Sequence, residues 1–315
     1  MAPRGRLTGP AVPRVLVVGP ASWNTLVRVA TLPDARPQTL FASGHRDALG
    51  GTSAGKAVTL AALGVDVTLR TVLGDDEQGR RVRAALDVPG LRLDPVPAEH
   101  GRTERHLNLM ADDGSRVSVY LELPQPAAGA DGAAGTDGAA ALVREADAVV
   151  LDLADHSCEL IDAVRAAGRP LWCDVHDHDD VAAYQRPFVD AADVLVVSDA
   201  RLPDPAAYLR AARDGGCRLA VCTRGAQGAL ALDADGWWDV PAAPVDALVD
   251  TNGAGDAFLA GMLAATLAGA PTPVALAHAS AAGALAVGTD ELGAPHATPA
   301  AVAALAGRVD VRRIA

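Results

Sequence analysis

Short, wholly apolar runs alternate along this chain with longer alanine-rich stretches of helical period. VLVVG (Val15–Gly19), VTLRTVL (Val67–Leu73), AVVLDL (Ala148–Leu153), PLWCDV (Pro170–Val175), VLVVS (Val194–Ser198) and LAVCT (Leu219–Thr223) predict buried strands. A strand covered on both faces loses the polar half of its alternation and reads as a continuous apolar run. Helices are predicted between them at Ala54–Leu63, Gly79–Leu86, Glu159–Ala167 and Ala206–Asp214. Strand–helix–strand repetition implies a mostly parallel sheet with helices on both faces, and ligands beyond the carboxyl ends of its strands.

Two stretches break this pattern. Leu26–Leu49 and Thr103–Leu123 carry alternating, strand-like segments, and LNLMADDGSRVSVYLEL within the second reads as a hairpin turning at Asp112–Asp113–Gly114. Together they predict a small β-layer projecting from the main sheet. Ala127–Ala141 (AAGADGAAGTDGAAA) is low in complexity and is expected to be a mobile loop. Residues 1–13 are expected to form a flexible tail ahead of one domain spanning 14–310, with no internal repeat.

Composition narrows the function. At 315 residues, 50% of them hydrophobic, the chain can bury a large core and is not a disordered polar segment. No apolar run approaches the ~18–20 residues that span a bilayer. The basic start MAPRGRLTGPAVPR lacks the apolar stretch of a secretory signal, so a cytoplasmic protein is expected. Twenty-seven basic residues against 39 acidic ones give a net charge of -12, which argues against nucleic acid or an anionic membrane as partner. Aromatics at 3% leave few platforms for stacking single-stranded bases. The cysteines Cys158, Cys173, Cys217 and Cys222 are scattered and suit reduced, buried thiols. One basic residue stands apart: Lys56 is the only lysine, and all the other basic residues are arginines.

Lys56 lies in GGTSAGKA (Gly50–Ala57), one residue short of the phosphate-binding pattern G-x-x-x-x-G-K-[ST]. That reading fails twice. Ala57 lacks the hydroxyl that holds Mg²⁺, and FASGHRDAL, which precedes the glycines, is polar and irregular rather than a buried strand. Asp152 at the end of AVVLD adds little, since apolar strands ending in Asp are common in parallel sheets. GPASWN after the first strand does not supply a dinucleotide-binding G-x-G-x-x-G either.

Asp250–Leu263, DTNGAGDAFLAGML, carries more chemistry. Gly253, Ala254 and Gly255 are small residues opening an apolar helix, where backbone N–H groups are free at the positive end of the macrodipole. Such a turn suits the charge that develops on a transferred phosphoryl group. Asp256, in the first turn, can face the same space, orient a substrate hydroxyl and accept its proton. Alternatively, Asp256 caps the helix and the glycines form a tight turn.

The string as a whole matches D-T-x-G-A-G-D, and the protein resembles the ribokinase-like PfkB carbohydrate kinases. The likeness runs from about Val15 to Pro299. GG-x-x-x-x-x-A at Gly50–Ala57, Leu63–Gly64 and GDDEQG (Gly74–Gly79) resemble the family's N-terminal signature, with glycines that let backbone approach a sugar. TRGAQGA (Thr223–Ala229) is similar to the segment that lies along ATP phosphates, which implies contacts from Thr223, Gly225 and Gly228. ASAAGALAVG (Ala279–Gly288) falls at the adenine-side helix. The resemblance implies a three-layer α/β/α fold with a mostly parallel central sheet. The two strand-like stretches, about 26–49 and 103–123, would be its small β-lid, which excludes water during transfer. A homodimer joined through that lid is also within the family's range.

Several positions depart from the family. Its usual acidic residue after the first strand falls at Asn24, and its substrate-binding Asn aligns with Gly55. Both changes remove side-chain recognition of a diol, although Asn24 can still donate and accept. The N-x-x-E element falls on Ser198–Asp199–Ala200–Arg201 and reverses the charge of its last residue; Asp199 could act through water, or Arg201 could contact phosphate. Mg²⁺ is expected to travel with ATP, held by phosphates and water. DVHDHDD (Asp174–Asp180) replaces D-x-N-x-R; His176 and His178 could share one face and bind a divalent metal, but a solvated loop is the expectation. Lys56 has three readings: a helix-surface charge, which is preferred, an anchor for an anionic acceptor, or a support for the γ-phosphate. His106, Arg105 and Asn108 are further candidates on the lid.

The expected activity is therefore ATP-dependent phosphorylation of a hydroxyl on a sugar or sugar-like molecule. Asp256 is the expected base, with Gly253, Ala254 and Gly255 as the anion hole. Thr223, Gly225 and Gly228 are expected at ATP, and Asn24, Gly50, Gly51 and Lys56 at the acceptor. A nucleoside kinase of the same fold, or a catalytically weak sugar- or nucleotide-binding regulator, are the alternatives.

Overall fold

A computed structural model describes residues 12–112, 114–129 and 135–314. The expected flexible tail, 1–13, lies outside these residues except for its last two. In chain order the first half comprises β1 (Arg14–Val18), β2 (Ser22–Val29), β3 (Gly44–Gly50), α1 (Thr52–Ala62), β4 (Asp66–Leu73), α2 (Glu77–Ala85), β5 (Leu91–Pro97), β6 (Arg105–Ala111) and β7 (Arg116–Glu122). It continues with α3 (Gly135–Glu145), β8 (Ala148–Asp152), α4 (Asp155–Cys158), α5 (Ile161–Ala166), β9 (Leu171–Asp174), α6 (Arg186–Ala191) and β10 (Val194–Ser198). The last part holds α7 (Pro205–Asp214), β11 (Leu219–Thr223), β12 (Ala229–Asp233), β13 (Gly236–Val240), α8 (Ala254–Leu267), α9 (Thr272–Ala286), α10 (Pro299–Ala306) and β14 (Arg312–Ile314).

A ten-stranded sheet runs β14-β13-β12-β11-β10-β9-β8-β1-β4-β5. Pairing is parallel from β11 through to β5, and antiparallel from β11 to β14. The apolar runs are buried on both faces, as their composition predicts. Val15 and Val17 of β1 pack into one core with α1, α8 and α9; Leu16 and Val18 pack into the other with α3, α5, α6 and α7. This is a three-layer α/β/α arrangement. Each Val or Leu so buried stabilises the fold by about 1.5–3 kcal/mol against exposure.

A second sheet, β3-β2-β6-β7, stands apart from the first. GHRDALG, read from sequence as irregular, is its strand β3, pairing antiparallel with β2 from Ser22↔Gly50 to Arg28↔Gly44. Its polarity reflects half-burial in a small sheet rather than a lack of structure. The expected mobile loop, 127–141, is also corrected in part. From Gly135 onward it is helical, because its alanines are strong helix formers and Ala139 and Val143 reach buried positions; residues 130–134 lie outside the described residues. Among the described residues no helix is long and apolar enough to cross a membrane.

Helices α8 and α9 are apolar all round and buried. Gly261 allows their close approach, since a Cβ there would lie 2.6 Å from Ala282 Cβ and 2.8 Å from the His278 carbonyl. This packing fixes the N-terminus of α8 above the carboxyl ends of the parallel strands.

Candidate active site

That N-terminus begins at Gly253, which has φ 80° and so takes the left-handed conformation glycine favours. A Cβ on Gly253 would stand 2.6 Å from the Gly293 amide nitrogen, so two glycine turns touch here. Among the described residues no side chain caps the helix. Its first-turn amides at Ala254, Gly255 and Asp256 have no preceding turn to bond to; Ala254 N–H reaches only the Thr251 carbonyl, at 3.4 Å. Ala254, Gly255 and Asp256 all line a cavity of about 1340 Å³ that also takes in Asn24, Thr223 and Gly225. Residues from all three sequence groups therefore share one space, although Gly253 and Lys56 do not line it.

Asp256 is 5% exposed, and its carboxylate meets the side chain that sequence placed on a surface. Lys56 is wholly buried, which corrects the preferred surface reading. The reason is that α1 is buried over Ser53–Ala61 without interruption, so it has no solvent face at this position. Lys56 Nζ lies 2.7 Å from Asp256 Oδ1, 3.0 Å from Asp152 Oδ1 and 3.2 Å from Asp174 Oδ2. Asp152 and Asp174 end the neighbouring parallel strands β8 and β9 in register, which sets their carboxylates side by side. Ser53 donates its hydroxyl to Asp152 Oδ2 at 2.6 Å. Lys56 itself is absent from the cavity wall.

Burial would by itself push the Lys56 ammonium down, but Asp152, Asp256 and Asp174 together hold it well above the ordinary lysine value. Burial pushes Asp256 up to about 6, and the ammonium keeps it from rising further while Asp152 and Asp174 push the other way. Asp174 is also desolvated, yet stays below the ordinary carboxylate value because His176 and Lys56 face it and the His176 N–H donates to Oδ1 at 3.0 Å. The sequence reads Asp152 as an ordinary strand end and Asp174 only as part of the DVHDHDD run. Their one signal is that two wholly apolar strands each end on Asp.

The acceptor-side glycines serve the protein's own packing. A Cβ on Gly50 would meet Asn24 Nδ2 at 2.0 Å, and Gly51, at φ 93°, lies against the Pro20 carbonyl. Asn24 is buried on β2 and accepts the His106 N–H at 3.0 Å. His106 Nε2 donates to Glu104 Oε1 at 2.8 Å, leaving Nδ1 to face Asn24 Nδ2 at 3.5 Å. The His106 and Tyr120 rings are 3.9 Å apart. Asn108, Ser118 and Arg116 line the same side of the cavity, and the buried Asn108 Oδ1 has no hydrogen-bond partner among the described residues. Arg105, one residue out of phase on β6, is not on this wall. Glu104 was missed in the sequence because it precedes the regular alternation of β6.

At the other end, Thr223 closes β11, and Gly225 (φ 54°) and Gly228 (φ 85°) shape the turn into β12; all three line the cavity. Gly228 could not be another residue without displacing the Val240 carbonyl oxygen, which would stand 1.9 Å from a Cβ at this position. Ser280, Gly283 and Ala284 of α9 complete this wall with small side chains. Ser198 also lines it, but Arg201 does not: its guanidinium pairs with Asp179 at 2.7 Å and Asp177 at 3.9 Å. Arg201 is thus engaged by these carboxylates rather than turned to the cavity. His176 and His178 do not share a face. β9 ends at Asp174 and the chain turns at His176 (φ 51°), which lines the cavity. His178 is buried, donating from Nε2 to the Ala182 carbonyl at 3.1 Å and accepting the Tyr208 hydroxyl at Nδ1 at 2.8 Å. Both its ring nitrogens are used.

Comparison with known proteins places this geometry in context. The model of the pfkB family carbohydrate kinases matches residues 13–299. The ATP-dependent ribose-1-phosphate kinase of Halopiger xanaduensis is 33% identical, over 94% of this chain and 99% of its own. The acarbose 7(IV)-phosphotransferase of an Actinoplanes species is 31% identical, over 86% of this chain and 91% of its own. Among solved structures, a microbiome-derived acarbose kinase superposes with a TM-score of 0.79 at 26% identity, covering 95% of this chain and 100% of that one. Arabidopsis thaliana ribokinase complexed with ribose and ATP gives a TM-score of 0.77 at 22% identity, covering 94% and 99%. With a family match along nearly its whole length and relatives aligned end to end, this chain belongs to the PfkB family of carbohydrate kinases.

Proposed function

We propose that this chain transfers the γ-phosphoryl group of ATP to a hydroxyl of a sugar or sugar-like acceptor, with Asp256 as the general base. The observation that carries this reading is Asp256 itself: a desolvated carboxylate on the cavity wall, in the first turn of an uncapped helix. The acceptor O–H gives its proton to Asp256 while its oxygen bonds to the γ-phosphorus. The bridging P–O bond breaks, and ADP leaves with the electron pair. Gly253, Ala254 and Gly255 amides stabilise the migrating group, and catalysis is positional and electrostatic. Thr223, Gly225 and Gly228 hold ATP.

Mg²⁺ would neutralise phosphate charge. It would be held chiefly by phosphates and water. The acceptor meets Asn24, the Gly50–Gly51 backbone and the inner wall of the small sheet, acting as a lid. A His–Tyr ring pair flanked by amide and carboxylate groups suits the apolar face and hydroxyl edge of a sugar. The same ring pair favours a nucleoside as second acceptor class, since a base can stack on it. Exposed Val117, Val119 and Leu121 on β7 support pairing of two copies through the lid.

The test is an acceptor screen with ATP across ribose, ribose 1-phosphate, acarbose and nucleosides, run beside Asp256→Asn. The variant is expected to bind ATP normally and lose turnover, while the wild type loses kcat/KM below about pH 6, as Asp256 takes up a proton. Turnover near the wild-type rate in Asp256→Asn refutes the assignment. ATP binding by the wild type without transfer to any acceptor favours a binding regulator.

A further inference from the structure

The one lysine of the chain is spent inside the protein. Its side chain is 0% exposed, and its ammonium lies within 3.2 Å of carboxylates on three different elements: Asp256 on α8, to which it donates a hydrogen bond, Asp152 on β8 and Asp174 on β9. Among the described residues the ionisable groups around the cluster are these four and His176, whose Nδ1 lies 3.5 Å from Asp174 Oδ1. One cation among three carboxylates is a poor arrangement for stability alone. Buried ion pairs seldom repay their desolvation, and an apolar replacement of the same volume is often more stable. Arginine, used everywhere else in this chain, is a planar fork; only the compact, tetrahedral ammonium can address three carboxylates converging from three directions.

The contact also divides the two oxygens of Asp256. Oδ1 is held by Nζ at 2.7 Å. Oδ2 lies on the other side, over Gly55, where a Cβ would approach it to 2.8 Å. We propose that Lys56 is a positioning residue for phosphoryl transfer: its ammonium pins Asp256 through Oδ1 and so presents Oδ2 to the acceptor hydroxyl. Lys56 stays protonated throughout, and the acceptor proton goes to Oδ2. This role rests on Asp256 being the base proposed above. It follows that removing the ammonium makes Asp256 hold its proton to higher pH, whereas removing the charge of Asp152 makes it release that proton at lower pH.

The experiment uses the full chain with ¹³C-carboxyl-labelled aspartate, titrated by NMR in wild type, Lys56→Gln and Asp152→Asn, with Asp256→Asn assigning the signal. Steady-state rates are measured with ATP and ribose 1-phosphate, ribose or acarbose as acceptor. In Lys56→Gln the Asp256 titration is expected to move up by about one unit or more, and kcat to fall roughly 100-fold with KM changing much less. In Asp152→Asn the titration is expected to move down. The shifts report that the charges are coupled; the fall in kcat at little-changed KM is what a merely structural role would not give. Should Lys56→Gln fail to fold, Lys56→Met, which keeps the length and apolar stem without the charge, is read by the same kcat and KM measurement. An unmoved Asp256 titration in the folded variants, or wild-type kcat in Lys56→Gln, overturns the proposal. If the titrations move as expected while Asp256→Asn retains turnover, the electrostatic coupling stands and the base assignment fails.

Discussion

Gly55 faces Asp256 across the α1–α8 contact, so adding one methyl group there tests whether the position of this carboxylate governs turnover. In Gly55→Ala the new Cβ would stand 2.8 Å from Asp256 Oδ2 and 3.1 Å from its Cβ and Cγ. Ordinary contact begins some tenths of an ångström farther out. Asp256 cannot simply swing aside, because Lys56 holds Oδ1 and the helix holds its backbone. Two effects oppose each other in stability. Alanine gains about 0.8–1 kcal/mol over glycine inside a helix, while overpacking a tight site costs about 1–3 kcal/mol. The net change should be a loss of roughly 0–2 kcal/mol, read as a fall of at most a few degrees in Tm. Turnover has no such compensation. A 1 Å misplacement of a catalytic group costs on the order of 100-fold, so a shift of about half that should lower kcat roughly 10-fold. Calorimetry and a coupled ADP assay on the same preparation separate the two effects. A variant with higher Tm and unchanged kcat would refute the idea that Oδ2 must stay where Gly55 leaves it.

Two further substitutions probe the approach to the site. Asp76 caps α2 by accepting the Gly79 N–H at 2.8 Å, and ties it to the start of the lid by accepting the Thr103 N–H at 3.0 Å and hydroxyl at 2.7 Å. Asp76→Ala should cost about 1–2 kcal/mol in urea unfolding at pH 7. Partial burial pushes this carboxyl up, but the Thr103 and Gly79 donors outweigh it and hold it below 3.8. Its contribution is therefore fully present above that value and is lost as pH falls through the lower folded value, so the difference between wild type and variant should shrink in acid. Asn24→Ala leaves the His106 N–H without its acceptor and should destabilise by about 1–3 kcal/mol. Its acceptor KM should rise while the KM for ATP stays near wild type, and equal changes in both would argue against a place at the acceptor.

The central strands and the DTNGAGD turn were legible because their signals are local. Val15–Val18 or Val194–Val197 can only be covered on both sides, and a small-residue turn opening a helix exposes amides wherever it occurs. Other features were not local. β12 and β13 extend the sheet antiparallel beyond β11, and their half-buried faces, with Trp237 and Trp238, give no continuous apolar run. His176 and His178 sit two apart in sequence, yet a left-handed turn sends one to the cavity and the other to Tyr208. Sequence alone thus determined the layered α/β fold, the small-residue start of α8 and the place of Asp256 in its first turn. The partners of that carboxylate were decided only in three dimensions. Helix α1 is buried nearly all round and has no periodic stripe to betray which way Lys56 points. Asp152 and Asp174 lie far from it in the chain, and only the pairing of β8 with β9 and the packing of α1 against α8 bring all four charges together.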